Sequence, residues 1–413
     1  MLEPQVLLRR LFTVAVTAAS DFSGIAERMP PTRGRVRVLA AGKAAAAMAA
    51  AIEANPPSWL SPTQLDGLVV TPPGHGLPLN RFSAMTAGHP LPTAASAQAG
   101  ERMLSLAAEL GEGDLLVALI SGGASALLAA PIEGLTLQDE IELNRRLLSA
   151  GAPIAQMNAA RARLSRIKAG GLARAAHPAS IATFIVSDVP GDDPAVVGGG
   201  PTLEPSARGQ EDALAPLSPR VAAALSARVP RPPLARGPVY VLRTGRDALA
   251  AADGEARRQG LDVINLGADL QDQARALGRA HAGLARDLVT GATGMLVLSG
   301  GETTVTVAGS GRGGRNTEYL ASFMTALGPS RRVWALAADT DGIDGVGPAA
   351  GALSRPDSLE RAEAIGLDVA GLIANNDTLS LFEALGDAIA TGPTRTNVND
   401  FRAILVLPPG AAA

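Results

Sequence analysis

The chain of 413 residues contains no cysteine, which excludes disulfides, zinc–thiolate sites, iron–sulfur clusters and cysteine nucleophiles. Four histidines, His75, His89, His177 and His281, leave little for a histidine-rich metal site. Aromatic residues are 3% of the chain, so the core must be built from Ala, Leu, Val and Ile. The same scarcity denies single-stranded nucleic acid its usual stacking platforms. Net charge is −3 and no basic block stands out, which argues against a nucleic-acid partner. No apolar run reaches the roughly 18 residues of a membrane span, so no membrane partner is expected. Residues Leu2 to Val16 interleave Glu3, Arg9 and Arg10 with apolar positions. That is the pattern of an amphipathic helix, without the apolar core and cleavage site of a signal peptide. Cytoplasm is the expected compartment.

What remains is a long chain with 47% hydrophobic and 18% charged residues, suited to burying more than one core. Short apolar runs alternate with Ala-rich helical stretches. Val36–Ala40, Leu68–Thr71, Leu115–Ile120 and Ile181–Val186 read as strands. Ala44–Ala54 and Ala94–Leu110 read as helices, and Ser125–Ala130 as the start of another. Thr93 is placed to cap the second of these helices and Gly111 to end it. The Pro-rich stretch Val229–Pro233 cannot continue a helix and marks a boundary. A second series follows: strands at Val239–Arg243, Val263–Leu266, Met295–Leu298, Val333–Ala337 and Ala403–Leu407, with helices at Asp247–Gln259 and Asp272–Leu288. The pattern predicts an α/β protein of two domains, 1–228 and 238–413, each with a mostly parallel sheet flanked by helices.

Several turns are equipped for chemistry. Strand Val36–Ala40 runs through Ala41-Gly42-Lys43 straight into a helix. A lysine there faces the positive end of the helix dipole, which an anion in the site would relieve. No Walker pattern surrounds it: Ala44 stands where Ser or Thr would be. Ser121-Gly122-Gly123-Ala124-Ser125 brings two glycines and two hydroxyls to the mouth of the next helix, a design for close backbone approach to an anion. Arg161, Ser165 and Lys168 fall on one face of a predicted helix. Asp188, Asp192 and Asp193 follow the C-terminal end of a strand, where carboxylates suit Mg²⁺ or a general base. Gly309, Gly311 and Gly314 match the dinucleotide G-x-G-x-x-G spacing. The match lies late in the chain, after a short Val305–Ala308 strand that suggests a hairpin, so it reads as a flexible anion-binding loop carrying Arg315. Asp339-Thr340-Asp341-Gly342 resembles an EF-hand start but lacks the later Glu ligand. Thr391–Asp400 is a polar loop before the last strand.

The ordered set of motifs is more specific than any member. Gly42-Lys43, Ala87-Gly88-His89-Pro90, Ser121-Gly122-Gly123, Asn158…Arg161…Ser165…Lys168 and Ser187-Asp188-Val189…Gly191-Asp192 come in the first half. Gly300-Gly301-Glu302-Thr303, Gly313-Gly314-Arg315-Asn316, Thr340-Asp341-Gly342…Asp344-Gly345 and Thr391-Gly392-Pro393-Thr394…Asn397-Val398-Asn399-Asp400 come in the second. Together they resemble the glycerate 2-kinase family with its C-terminal MOFRL domain, whose members are also often labelled hydroxypyruvate reductase. The likeness spans about residues 35–407, with departures at Ala124, Gly199 and Pro348.

The resemblance implies ATP-dependent, Mg²⁺-assisted phosphorylation of D-glycerate at its 2-hydroxyl, in a cleft between two α/β domains. The family's proposed catalytic lysine falls on Lys43 and its arginine on Arg315. To these are added Asp188 or Asp192 for Mg²⁺ or the substrate hydroxyl, and Ser121, Gly122, Gly123 and Ser125 for a phosphate or the glycerate carboxylate. Asn158, Arg161, Lys168, Glu302, Asp341 and Asn399 are further substrate- or phosphate-binding candidates. A homo-oligomer stays open. The rival activity is an NAD(P)H-dependent hydroxypyruvate reductase, and the non-enzymatic reading is a ligand-binding protein on the same fold.

Overall fold

The computed structural model describes residues 2–149, 160–204, 218–226, 233–291 and 293–410. The chain forms two units, Asp21–Leu242 and the combination of Met1–Ser20 with Arg243–Ala413. Among the described residues, no helix is long and apolar enough to cross a membrane.

The first unit is organised by β1 (Val36–Ala41), β2 (Leu65–Thr71), β3 (Phe82–Thr86), β4 (Leu115–Ser121), β5 (Ser180–Val186) and β6 (Val239–Arg243), in the order β3-β2-β1-β4-β5-β6. Strands β1 to β5 are parallel neighbours throughout. Every residue of β1 and β4 is buried, as expected of strands covered on both faces. The one charged side chain in β1, Arg37, is held by Asp66 at 2.7 Å and Glu109 at 2.7 Å. Helices α2 (Ala45–Ala54), α3 (Ala94–Ala108), α4 (Ala124–Leu127), α5 (Leu137–Ser149), α6 (Gly171–Ala176) and α7 (Pro219–Ser226) complete it. Ser96 Oγ accepts the N–H of Thr93 at 3.0 Å, so the expected N-cap of α3 is in place.

Two local expectations differ. The helix expected from Ser125 to Ala130 stops after one turn, because Leu128–Ala130 leave it to bond elsewhere: Ala129 N–H donates to Ser96 O, and Ala130 O accepts from Arg166. Strand β3, with three of its five residues exposed, carries too little apolar signal to be seen in the sequence.

The second unit has the sheet order β11-β10-β9-β12-β8-β7, with β7 (Asp262–Asn265), β8 (Met295–Gly301), β9 (Val333–Asp339), β10 (Gly351–Ser354), β11 (Ala388–Ile389) and β12 (Asp400–Val406). Strands β7, β8, β9 and β11 share one direction, and β10 and β12 run against them. The helices are α8 (Gly245–Arg258), α9 (Ala274–Val289), α10 (Arg315–Leu327), α11 (Ser358–Ala364), α12 (Val369–Ala374) and α13 (Thr378–Ala384). No strand forms at Val305–Ala308, so the hairpin expected there is absent.

Helix α1 (Pro4–Ala19) belongs to this second unit, whereas the division at 1–228 and 238–413 had assigned it to the first domain and β6 to the second. The reason is its apolar stripe. Leu7, Leu8, Leu11, Phe12, Ala15 and Ala19 repeat at helical spacing and are all buried. Phe12 lies 5.8 Å from the ring of Phe401 on β12, Arg10 pairs with Glu255 of α8 at 2.5 Å, and Thr396 Oγ1 donates to Ala19 O at 2.7 Å.

Arg402, on β12, is 1% exposed and sits 5.4 Å from the centre of the Tyr319 ring. The Tyr319 hydroxyl is in turn 2.7 Å from His281 Nδ1. Burial, helped by the charge of Arg402, lowers the His281 pKa from the usual 6.5 to about 4.

Two outcomes are expected. Phe12→Ala should destabilise the second unit by about 3 kcal/mol, the usual cost of emptying an aromatic site in a core. Urea unfolding followed by Trp334 fluorescence would read it, and an unmoved midpoint would show that α1 contributes nothing. For His281, the depressed pKa gives stability that is complete above pH 6.5 and is lost as pH falls through about 4. The loss is about 3 kcal/mol when the shift is converted to free energy. His281→Gln keeps a partner for Tyr319 and removes the titration, so its stability should approach that of the wild type between pH 7 and pH 4. Parallel pH profiles would refute this.

Candidate active site

In the first unit the chain order along the sheet reverses between β1 and β4, the position where open α/β sheets bind ligands at their carboxyl ends. The two turns singled out in the sequence leave these two strands. They are joined to each other: Lys43 N–H donates to Gly122 O at 3.0 Å, and Ala44 N–H donates to Ser121 Oγ at 3.0 Å. Gly42 is obligatory here, because it has φ 125° and any Cβ would overlap Ser121 Oγ. His75 Nδ1 lies 3.3 Å from Lys43 O, and the His89 ring covers the open side of Gly123, where a Cβ would come within 3.0 Å of it. Neither histidine had been given a role from the sequence.

Ser125 and Lys168 also come together. A Cβ at Gly199 would lie 3.2 Å from Lys168 Cγ and 3.4 Å from Ser125 Oγ. The shared helical face expected for Arg161, Ser165 and Lys168 does not exist, however. Helical backbone ends at Arg163, Ser165 forms a β-bridge with Pro131, and Lys168 lies in the turn before α6. Pairing with the 130–132 segment replaces the helix: Ile132 N–H donates to Leu164 O at 3.0 Å and Arg166 N–H to Ala130 O at 2.7 Å.

Lys168 is buried and its Nζ sits 3.7 Å from Glu140, a buried carboxylate of α5 that the sequence reading missed. Burial lowers the Lys168 pKa and raises that of Glu140, each opposed by the partner's charge. Arg161 donates to Asn144 Oδ1. Asn158 lies outside the described residues.

Asp188 is two residues beyond Val186, which pairs in register with Ser121, so its turn leaves the sheet beside the Gly122-Gly123 turn. Gly191 and Asp192 both have positive φ, 78° and 56°, and a non-glycine residue there marks a locally strained turn. Among the described residues, no group of three His, Asp or Glu side chains forms a ready metal cage.

In the second unit, candidates gather where β8 and β9 end and β12 begins. Arg315, the first residue of α10, has each guanidinium nitrogen on a different carboxylate: Nε on Asp400 at 2.7 Å, Nη1 on Glu302 at 2.6 Å and Nη2 on Asp339 at 2.7 Å. Burial opposes the charge, but these three acids outweigh it and hold the pKa well above the ordinary arginine value. Asp341 accepts the Ile343 N–H at 2.8 Å. Asn399 is left-handed at φ 67°, and its carbonyl accepts from both Thr340 N–H at 3.1 Å and Thr340 Oγ1 at 2.7 Å. Asp339 and Asp400 stood inside the sequence motifs, but nothing in their spacing revealed that they converge on Arg315.

The Gly309-x-Gly311-x-x-Gly314 loop is not an open anion cradle. Its N–H groups are already used: Ala308 and Gly309 donate to Asn376 Oδ1 at 2.8 and 3.0 Å, Ser310 to Asn375 Oδ1 at 3.2 Å, and Arg312 to Asp377 Oδ1 at 2.9 Å. A Cβ at Gly309 or Gly311 would overlap this Asn375–Asp377 segment, so these glycines serve close packing. The N-terminus of α10 is likewise filled. Asp344 accepts the N–H groups of Asn316 at 3.0 Å and Thr317 at 2.9 Å.

Residues 6–231 match the family model of a domain of unknown function, DUF4147, and residues 295–400 match the MOFRL family. An Agrobacterium vitis protein with the provisional name hydroxypyruvate reductase is 43% identical over 97% of this chain and 94% of its own. The D-glycerate 2-kinase of Thermotoga maritima is 32% identical over 97% of this chain and 98% of its own. The crystal structure of glycerate kinase from that organism matches with a TM-score of 0.81 at 29% identity, covering 98% of this chain and all of the other. With two α/β units, the expected motifs in order and full-length likeness to these proteins, the chain belongs to the glycerate 2-kinase family.

Proposed function

We propose that this protein is a cytoplasmic, ATP-dependent kinase that phosphorylates D-glycerate at its 2-hydroxyl, giving 2-phosphoglycerate. The observation that carries the reading is the stitched pair of turns, Gly42-Lys43 and Ser121-Gly122-Gly123, at the switch point of a parallel sheet. The names of the relatives point to the same reaction class. Phosphoryl transfer needs positioning and positive charge more than covalent help from the protein. Lys43 and Arg315 are the cations assigned to the transferred group. In the step itself the 2-hydroxyl oxygen forms the new P–O bond, the bridging oxygen leaves with ADP, and the hydroxyl proton passes to a carboxylate, for which Asp188 is the candidate.

Mg²⁺ in kinases takes one or two carboxylates and completes its shell with phosphate oxygens and water. Asp188 and Asp192 on one short turn fit that requirement, and a three-residue cage is not needed. When bound, Mg²⁺ would neutralise phosphate charge. Ser121, Gly122, Gly123 and Ser125 are assigned to the glycerate carboxylate or a phosphate, and Arg161 and Lys168 to further substrate or phosphate contacts. Fixing the carboxylate also fixes the hydroxyl on the adjacent carbon, while the 3-hydroxyl keeps a free rotation. Effective molarity therefore favours transfer to C2. Glu302, Asp341 and Asn399 are assigned to the remaining substrate contacts.

Hydroxypyruvate reductase, the name carried by the Agrobacterium relatives, is the second reading. The glycine-rich loop that would support it has its backbone donors tied to Asn375, Asn376 and Asp377. The first strand leads into Gly42-Lys43 with no dinucleotide fingerprint.

Incubating the protein with ATP, Mg²⁺ and D-glycerate should release ADP, and NADH with hydroxypyruvate should show no oxidation. Phosphorus NMR of the product should show coupling to the single C2 proton. Coupling to the C3 methylene would overturn the 2-kinase assignment. Lys43→Ala should fold normally by circular dichroism and lose about 10²–10³ in kcat, the usual cost of one preorganised donor. Near-normal turnover would remove Lys43 from the mechanism.

A further inference from the structure

An ion pair is buried in the first unit with a geometry that does little for stability. Lys168 Nζ and Glu140 Oε2 are 3.7 Å apart, with the two side chains 7% and 6% exposed. That separation attracts but is too long for a hydrogen bond. Glu140 Oε1 is also buried and, among the described residues, has no hydrogen-bond partner. A buried pair offsets the cost of leaving water only when its geometry is tight and its remaining lone pairs are satisfied. This pair meets neither condition, which points to a role other than holding the fold.

The surroundings of Lys168 say which role. Gly198, Gly199 and Gly200 follow one another at positive φ, 61°, 80° and 58°. On one side this run is fastened to the Lys168 turn: Ala169 N–H donates to Gly199 O at 3.0 Å, and Gly170 N–H to Gly200 O at 2.8 Å. On the other it lies against the glycine turn that follows β4. A Cβ at Gly198 would sit 2.8 Å from Ala124 Cβ, and one at Gly199 would touch both Lys168 Cγ and Ser125 Oγ. The stem of Lys168 therefore passes Ser125 with Gly199 between them. Burial lowers the Lys168 pKa, the charge of Glu140 opposes this, and Arg161 adds to it. A carboxylate at 3.7 Å supports the ammonium's charge without taking up one of its N–H groups, which is what an anion-binding lysine needs. Protein kinases use a comparable device, a Glu on a separate helix paired with the lysine that meets the phosphates.

We propose that Glu140 is a positioning residue of the first unit's site: from α5 it keeps Lys168 charged and in place beside Ser125, so that the ammonium can donate to an anionic oxygen of the ligand, a carboxylate or a phosphate. This deepens the kinase reading and rests on it for the assignment of Lys168 to the ligand.

The test measures binding to the full-length protein by calorimetry, with D-glycerate as the carboxylate probe and inorganic pyrophosphate as the phosphate probe. Lys168→Met combined with Glu140→Leu replaces the pair by apolar side chains of similar size, an exchange that buried ion pairs usually tolerate or gain from. The doubly substituted protein should melt no lower than the wild type. It should nevertheless bind one of the probes about 10- to 100-fold more weakly, the weight of a hydrogen bond to a charged group. The probe affected identifies the anion that Lys168 meets. Glu140→Gln keeps the lysine and removes its counter-charge, leaving Arg161 to act on Lys168. Its affinity for that probe should therefore fall away at lower pH than the wild type's as pH rises from 7 to 10. Wild-type affinity of the double variant for both probes overturns the proposal, as does its melting well below the wild type, because the pair then serves the fold. A Glu140→Gln profile that coincides with the wild type, or a wild type that binds neither probe, also overturns it. A wild type that binds a probe but releases no ADP with D-glycerate defeats the kinase reading alone.

Discussion

Asp400 is the residue on which the second unit's chemistry depends. It is the first residue of β12, pairs in register with Gly301 of β8 and Asp339 of β9, and has no access to water. A lone carboxylate there would be too costly to keep charged. Burial alone would raise its pKa, but Arg315 and Arg402 outweigh burial and hold it below the usual carboxylate range. Asn316 adds a third donor from the first turn of α10. The arrangement is reciprocal. Arg402 is itself nearly inaccessible and is tolerated because Asp400, the Gly300 carbonyl at 3.1 Å and the face of Tyr319 receive it. Removing one member would strand the others, which is the expensive way to break a buried ion network.

The two units bring their candidate residues together differently. In the first, a parallel sheet brings two strand–turn–helix units side by side, and the site is made of backbone and small side chains: Gly42, Ser121, Gly122 and Gly123. In the second, an antiparallel strand between β8 and β9 carries Asn399 and Asp400 to the edge where those strands deliver Glu302 and Asp339. The cluster there is built of ionised side chains, and the N-terminus of α10 is closed by Asp344.

Much of this was legible before any coordinates. Strands β1, β4 and β5 are largely apolar runs, and a strand that ends in Gly42-Lys43 or Ser121-Gly122-Gly123 declares its own turn. What escaped the sequence was of three kinds. Weakly apolar pieces such as β3 and β10 exist because their neighbours pair with them, not because of their own composition. The late G-x-G-x-x-G spacing was a false lead, since spacing does not say whether glycines make room for a ligand or for Asn375–Asp377. Convergence was invisible as well: nothing in the spacing of residues 302, 315, 339 and 400 tells that their side chains meet, and Glu140 gives no sign that it will face Lys168. The boundary reading failed at α1 for a related reason, because an amphipathic stripe shows that a helix needs a partner without showing which one.

The placement of α1 has a consequence for how the protein is made. The helix is translated before the first unit, yet its partners come after it: Glu255 follows Leu242, and Phe401 comes well over a hundred residues later. At about 5–20 residues per second, the stretch from Asp21 to Leu242 alone takes on the order of 10–40 s to synthesise. Through that interval Leu7, Leu8, Leu11 and Phe12 have no native partner, while the first unit has everything it needs to fold. The nascent chain therefore carries an exposed apolar helix tethered to a finished domain, the kind of species that holding chaperones recognise, until the last strand arrives to cover it.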